Sequence, residues 1–212
     1  MQRQRIVRFV DIDETVFHTT AHIKIRAEDG TLQKELSNQQ WNVYPRENII
    51  AKTETADFAE FSSAQKFFDE SIPVAPMVEM LREWSYEMRT DPKHFRDMVV
   101  FVTARGDFDD REKLLDAFRR QLICIDDKEH FYISRTGNLS PDTRINGIHL
   151  SVAQRKKVEY LHYLMAEMPA VAELYEDDPK NIQDFLELKK EMPAIEYRAF
   201  LVKDNTITQV EN

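Results

Sequence analysis

Residues 6–15 read Ile6-Val7-Arg8-Phe9-Val10-Asp11-Ile12-Asp13-Glu14-Thr15. A short apolar run that passes at once into two carboxylates predicts a buried strand, Ile6–Val10, ending in an acidic loop. Strands of this kind belong to parallel sheets covered on both faces. The same pattern recurs further along. Residues 98–102 form a second buried strand ending at Thr103, and residues 131–134 a third. Residues 171–175 form a fourth, ending in Glu176-Asp177-Asp178-Pro179, and residues 197–202 a fifth. Helical stripes lie between them. Met77, Leu81, Trp84 and Met88 recur at i, i+4, i+7 and i+11, which predicts a helix over residues 76–89. Leu114, Leu115, Phe118 and Leu122 stripe the helix after the second strand. Ser151 caps a helix with Val158, Leu161, Met165 and Met168 on its inner face, and residues 181–192 read as a helix before the last strand. The expectation is an α/β fold: a mostly parallel sheet of about five strands flanked by helices.

The alternation is interrupted between the first strand and its returning helix. Residues 22–28 and 31–36 flank Asp29-Gly30, a two-residue hairpin signal. An aromatic-rich stretch follows, with Trp41, Tyr44, Phe58, Phe61, Phe67 and Phe68, and a helix expected near residues 57–69. Residues 16–75 therefore read as a small hairpin and helical insertion capping one end of the sheet, within a single domain over residues 1–212.

Composition narrows the function classes. With 42% hydrophobic and 32% charged residues, the chain has the makings of a sizeable core. The formal net charge of −9 argues against broad capture of nucleic acid or anionic membrane, while leaving room for a small basic pocket. The longest apolar run, residues 98–102, is far short of the roughly 20 residues that span a bilayer. The opening residues reach Asp11 before a signal-peptide core develops, and the single cysteine, Cys124, has no internal partner, so a reducing cytoplasm is expected. The four glycines lie at least ten positions apart. That spacing excludes both the dinucleotide fingerprint and the glycine-rich phosphate loop. A phosphate must then be held by side chains, isolated backbone amides or a metal.

In open parallel sheets, sites form at the carboxyl ends of the strands. There the sequence sets Asp11 and Asp13, then Thr103-Ala104-Arg105-Gly106-Asp107, then Asp177 and Asp178, with Lys156-Lys157 opening the helix before the fourth strand. Singly, each piece has a plain structural reading: solvated turns, or an N-cap at Asp178 ahead of Pro179. A calcium loop fails, because Val16 stands where its glycine is needed and His22 where its bidentate glutamate is needed. Together, and in this order, the pieces resemble the haloacid dehalogenase (HAD) superfamily of phosphohydrolases and phosphotransferases. The first motif, hydrophobic residues then Asp-x-Asp-x-Thr, is matched by residues 7–15. The second, a strand ending in Thr, is matched by residues 99–103. A lysine and an acidic pair after a strand complete the set.

The resemblance implies a Mg²⁺-dependent phosphomonoester hydrolase that works through an aspartyl-phosphate. Asp11 is then the nucleophile, and the Asp13 side chain is the acid for the leaving alcohol and the base for hydrolytic water. Mg²⁺ sits between Asp11 and Asp177, with the Asp13 carbonyl as a further ligand and Asp178 as an alternative. Thr103 and one lysine bind phosphate oxygens. Lys157, at the margin of the helix's inner face, is preferred to Lys156, which falls nearer Tyr160 and Tyr163. Family members commonly carry a second acid or Asn four residues after the first, which Asp177 and Asn181 match. Glu176 departs from the glycine frequent at its position.

Specificity is expected from the insertion and the strand-end loops. Thr15, Arg105, Arg135 and Lys156 are the candidate substrate contacts; for the two arginines, an ion pair with one of the many carboxylates is the competing reading. The aromatics of residues 41–68 either stack a base or bury themselves under the insertion. The run from Phe17 to residues 103–108 also looks like HAD proteins encoded by large tailed phages. A nucleotide is the expected small phosphorylated substrate. A polynucleotide 3′-end in nucleic-acid repair is the alternative enzyme reading, and a non-catalytic phosphate- or partner-binding module the alternative from another class.

Overall fold

The computed structural model describes residues 5–45, 47–138, 144–145, 148–149 and 151–211. Gly147, one of the four glycines, lies outside them. The chain begins with β1 (Ile6–Val10) and then enters a smaller unit. This unit runs through β2 (Phe17–His18), β3 (Ile23–Ala27), β4 (Leu32–Leu36), α1 (Asn38–Asn42), α2 (Glu47–Ile50), β5 (Glu54–Asp57), α3 (Ala64–Glu70) and β6 (Ile72–Pro73). The main body resumes with α4 (Ala75–Thr90), β7 (Met98–Thr103), α5 (Arg111–Arg120) and β8 (Phe131–Arg135). After the short pair β9 (Arg144–Ile145) and β10 (Ile148–His149) come α6 (Val152–Glu167), β11 (Val171–Glu176) and α7 (Pro179–Leu186). Strands β12 (Glu196–Lys203) and β13 (Thr206–Val210) end the described fold.

Six strands form the main sheet in the order β13-β12-β11-β1-β7-β8. All neighbours are parallel except β12 and β13. The sheet thus has one strand more than expected. Its extra member is an antiparallel edge whose residues, Thr-Ile-Thr-Gln-Val, are too polar to read as buried. Alternation along β1 sends Val7 and Phe9 to the face covered by α6 and α7, and Val10 to the face covered by α4 and α5. Burying a side chain such as Phe9, which is fully enclosed, contributes about 1.5–3 kcal/mol. Arg8 shares the α4–α5 face and is buried too: its Nε lies 3.2 Å from Glu173, and its guanidinium stacks on Trp84.

Helix α4 matches the predicted stripe, with Met77, Leu81, Trp84 and Met88 all buried. Three other helix readings need correction. Leu122 lies beyond α5, exposed and at φ 59°, so the stripe ends at Phe118. The helix expected over residues 181–192 begins earlier, at Pro179, and passes into a 3-10 turn at Glu187–Lys190. Helix α6 starts at Ser151 in a full capping box, but its buried side chains are Ala153, Lys156, Tyr160 and Leu164. Met165 and Met168 are exposed. The helix is therefore rotated from the expected face, and the buried stripe contains a lysine.

Antiparallel pairing of Phe17 with Pro73 and His18 with Ile72 clips the base of the smaller unit. The β3–β4 hairpin forms as expected, although its turn has three residues: Gly30 N donates to Ala27 O, and Gly30 takes φ 84°. Glycine is suited to that left-handed position after a type I turn. Strand β5, which the sequence reading did not identify, adds to the other edge of β3. Ile23, Ile25 and Leu36 form a small core with Trp41, Tyr44 and Phe61 packed on it. In place of one helix near residues 57–69 there is a 3-10 turn, Ala59–Ser62, followed by α3. Phe67 of α3 inserts between Phe17 and Phe108 in the main core.

Candidate active site

Asp11 follows β1 directly, and its N–H donates to Tyr175 O at 3.0 Å, extending the β1–β11 ladder by one residue. The chain then reverses sharply. Val16 and Phe17 N–H both donate to Ile12 O, and Glu14 N–H donates to Phe17 O at 2.8 Å. Glu14 takes φ 60°, a left-handed conformation that costs a non-glycine residue about 1–2 kcal/mol. Its carboxylate offsets part of that by accepting from Thr19 N–H at 3.1 Å and lying 2.9 Å from His18 Nδ1. The reversal leaves Asp11, Asp13 and Thr15 all buried at the carboxyl end of the sheet. The Thr15 hydroxyl has no hydrogen-bond partner among the described residues.

Lys156 from α6 meets the end of β1 from the opposite side. Its Nζ donates to Asp11 Oδ1 and to Glu176 Oε2, both at 2.8 Å, and only 2% of the side chain is exposed. Asp11, Glu176 and Asp177 each bring a carboxylate oxygen to within 4.8 Å of the others. Burial, reinforced by Glu176 and Asp13 and opposed by Lys156, pushes Asp11 up to about 8. Burial, then Glu176 and Asp11, push Asp177 up to about 9. For Lys156, burial works against the charged form, yet the two carboxylates outweigh it and hold the ammonium well above its usual value. Tyr160, one turn further along α6, is enclosed beside this cluster, its hydroxyl also without a partner among the described residues.

Asp13 belongs to a second group. Arg105 Nε donates to both of its carboxylate oxygens, at 3.0 and 2.8 Å, and Nη2 donates to Oδ1 at 2.6 Å. Thr103 Oγ1 accepts from Arg105 N–H at 3.1 Å and lies 3.5 Å from Asp13 Oδ2. Behind this loop, Thr136 Oγ1 donates to Thr103 O at 2.9 Å and Gly137 N–H to Arg105 O at 3.0 Å. A Cβ at Gly137 would fall 2.5 Å from Ala104 O, from the Arg105 carbonyl carbon and from Gly106 N. Glycine is needed there because the two loops touch backbone to backbone.

Several sequence assignments change with this geometry. Lys156, not Lys157, reaches Asp11; Lys157 Nζ pairs with Glu191 at 2.9 Å. Asp178 Oδ1 accepts from Lys180 N–H at 2.8 Å and caps α7, so it stands outside the carboxylate cluster. The Asp13 carboxylate pairs with Arg105 and is not one of the three clustered carboxylates, while the ligand expected from Asp13 is its backbone carbonyl, outside this grouping of side chains. Arg105 is committed to Asp13, and the exposed Arg135 pairs with Asp107. The ion-pair reading thus describes both arginines. Asn181 is buried in α7. Glu176, read from sequence as a departure, is a full member of the cluster. The signal was present: a glutamate in the last position of a fully buried strand needs a cation beside it.

Comparisons with family models, with curated proteins and with solved structures give no match. The donor set must speak for itself. Three carboxylates face one ammonium, an oxygen-only arrangement that suits a hard divalent cation such as Mg²⁺, Mn²⁺ or Ca²⁺ without selecting among them. Among the described residues, no helix is long and apolar enough to cross a membrane.

Proposed function

We propose that this protein is a divalent-cation-dependent phosphomonoester hydrolase of the HAD type, with a nucleotide as its substrate. The observation that carries the reading is the meeting of Asp11, Lys156, Glu176 and Asp177 at one rim, with Asp13 and Thr103 beside them. Four chain segments contribute, all at the carboxyl ends of parallel strands or at the start of the helix beside them. Phosphoryl transfer asks for this combination of carboxylate nucleophile, positive charge and positioned acid.

An Asp11 oxygen attacks phosphorus while the bond to the ester oxygen breaks. The leaving oxygen takes a proton carried on Asp13 Oδ2 and departs as the alcohol; Oδ2 can carry it because Arg105 Nε also reaches Oδ1, the oxygen that Nη2 holds. Water then attacks phosphorus and gives its proton to the Asp13 carboxylate; the bond to Asp11 breaks and inorganic phosphate leaves. Asp13 thus ends each cycle as it began. Lys156 and the Thr103 hydroxyl hold the phosphate oxygens. Asp11, Glu176 and Asp177 would hold the cation, Mg²⁺ in the family resembled, which when bound would favour the ionised forms of Asp11 and Asp177 that burial alone disfavours and would offset repulsion between nucleophile and phosphate. The net charge of −9 favours a small nucleotide over a long polynucleotide.

The test is hydrolysis of an aryl phosphate with and without Mg²⁺, using wild type and Asp11→Asn. Cation-dependent turnover that Asp11→Asn abolishes supports the reading. An inactive wild type, or full activity in Asp11→Asn, overturns it. Nucleoside monophosphates set against 3′-phosphorylated oligonucleotides then separate the two substrate classes.

A further inference from the structure

Arg105 is more deeply engaged than an ordinary ion-pair partner. Its guanidinium is 2% exposed and lies between Asp13 and residues of the smaller unit. On one side, Nε and Nη2 take both oxygens of Asp13. On the other, Nη2 donates to Thr19 Oγ1 at 3.0 Å and Nη1 to the Phe61 carbonyl at 2.6 Å. Three rings pack around the cation: Phe61 at 4.8 Å, Phe67 at 4.9 Å and Phe108 at 5.1 Å. Thr19, Phe61 and Phe67 belong to the stretch between β1 and α4; Asp13 and Phe108 belong to the strand-end loops. A guanidinium is a rigid fork, so atoms bound to its two sides are fixed relative to one another.

We propose that Arg105 is a positioning residue that makes the placement of the Asp13 carboxylate depend on docking of the unit spanning residues 16–75. With the unit docked, Thr19 and Phe61 orient the guanidinium, and the guanidinium orients Asp13. With the unit displaced, Arg105 loses two hydrogen bonds and two ring faces, and Asp13 loses its fixed aim. The aromatic residues of the insertion then have a role separate from base stacking: Phe61 and Phe67 form the wall against which Arg105 is held. Arg105 itself acts on the reaction only through Asp13, whose oxygens it holds. Asp13, Thr19 and Phe61 engage four of its five N–H groups, so a substrate phosphate could take a bidentate grip on it only by dismantling the tie.

The catalytic half of this inference rests on the phosphatase reading, and the experiment separates the two. The measured quantity is the ratio of kcat/KM for an alkyl phosphate to that for an aryl phosphate, for wild type, Arg105→Ala, Arg105→Lys and Thr19→Val. An alkoxide leaving group needs the Asp13 proton and a phenolate needs it far less, while any loss of folded enzyme cancels in the ratio. Arg105→Ala is expected to lower the ratio about tenfold or more, since a positioned acid contributes 10²–10⁴-fold. Arg105→Lys restores part of it. Thr19→Val, outside the reacting groups, lowers it about threefold, the scale of one hydrogen bond. An unchanged ratio in Arg105→Ala overturns the positioning role, and an unchanged ratio in Thr19→Val overturns the dependence on docking. If wild type hydrolyses neither ester, the phosphatase reading fails, and amide hydrogen exchange of Asp13→Asn still judges the tie. Faster exchange in residues 17–19 and 59–67 supports it, and unchanged exchange there overturns it.

Discussion

Lys156 Nζ donates to Asp11 Oδ1 at 2.8 Å across 145 positions of chain, and both groups are buried. An ammonium is tolerated there only because Asp11 and Glu176 meet it together. In the phosphatase reading proposed above, the same cation would keep the carboxylate nucleophile in place and face the incoming phosphate. One lysine thus joins the end of β1, the end of β11 and the first turns of α6.

Replacing either member of a buried pair leaves the other uncompensated. Lys156→Met should cost about 3–5 kcal/mol of folding stability, the scale for breaking such a pair. It should also remove phosphatase activity. Lys157→Met, whose ammonium is partly exposed and pairs with Glu191, should change stability by less than about 1 kcal/mol. Chemical denaturation and aryl phosphate hydrolysis of the two variants check both statements. Equal effects in the two would remove the distinction between the neighbouring lysines.

The carboxylate cluster gives stability a pH dependence of definite sign. Asp11 and Asp177 are raised by burial to about 8 and 9, above the value of 3.8 for an unperturbed aspartate. Between about pH 4 and pH 9 the folded chain therefore binds more protons than the unfolded one, and its stability falls as pH rises through that window. Glu60 acts in the opposite sense. Hydrogen bonds from Lys24 and then Lys66 pull it down to about 2, so its contribution is present above about pH 4.5 and lost as pH falls towards 2. In a chelating buffer, Tm is expected to decline from pH 5 to pH 9. Asp177→Asn should flatten the decline, and so should a divalent cation that binds the folded state. A profile that Asp177→Asn leaves as steep as wild type would count against this source.

Gly137 tests the backing of the Thr103 loop. An added methyl group meets three backbone atoms at 2.5 Å, none of which can rotate away as a side chain end would. Gly137→Ala is expected to cost about 1–3 kcal/mol through overpacking and to displace the segment carrying Thr103 and Arg105. Thermal unfolding reads the first effect. Backbone chemical shifts of residues 103–106 read the second, and shifts identical to wild type would refute the displacement.

Much of the fold was legible because its signals are local. β7 is apolar up to Thr103, and β1 and β11 are apolar apart from Arg8, Glu173 and Glu176, a pattern that a strand buried on both faces requires. The Ser151 cap was legible for the same reason, since capping spans three residues. β13 was not, because an edge strand with one partner needs little apolar surface. β5, Glu-Thr-Ala-Asp, is held by pairing with β3, a non-local matter that its own residues do not announce.

The candidate site divides along the same line. Asp11, Asp13 and Thr103 were legible because each stands at or just past the end of a buried strand. The choice of lysine was not. Helix α6 carries apolar residues on more than one side, and Val158, Leu161, Met165 and Met168 outlined a stripe that differs from the face that packs inward. The inward face contains Lys156, and burying it becomes favourable only once β1 and β11 place two carboxylates opposite.

By itself, then, the sequence determined where the buried strands lie and which acidic and hydroxyl side chains stand at their ends, because strand burial and strand termination are written in consecutive residues. The tertiary structure decided that Lys156 joins Asp11, that Glu176 joins Asp177 while Asp178 serves as a cap, and that Arg105 serves Asp13. The physical reason is common to all three. Which charges can be buried depends on which opposite charges the packing brings within about 3 Å, and that is settled between distant segments of the chain.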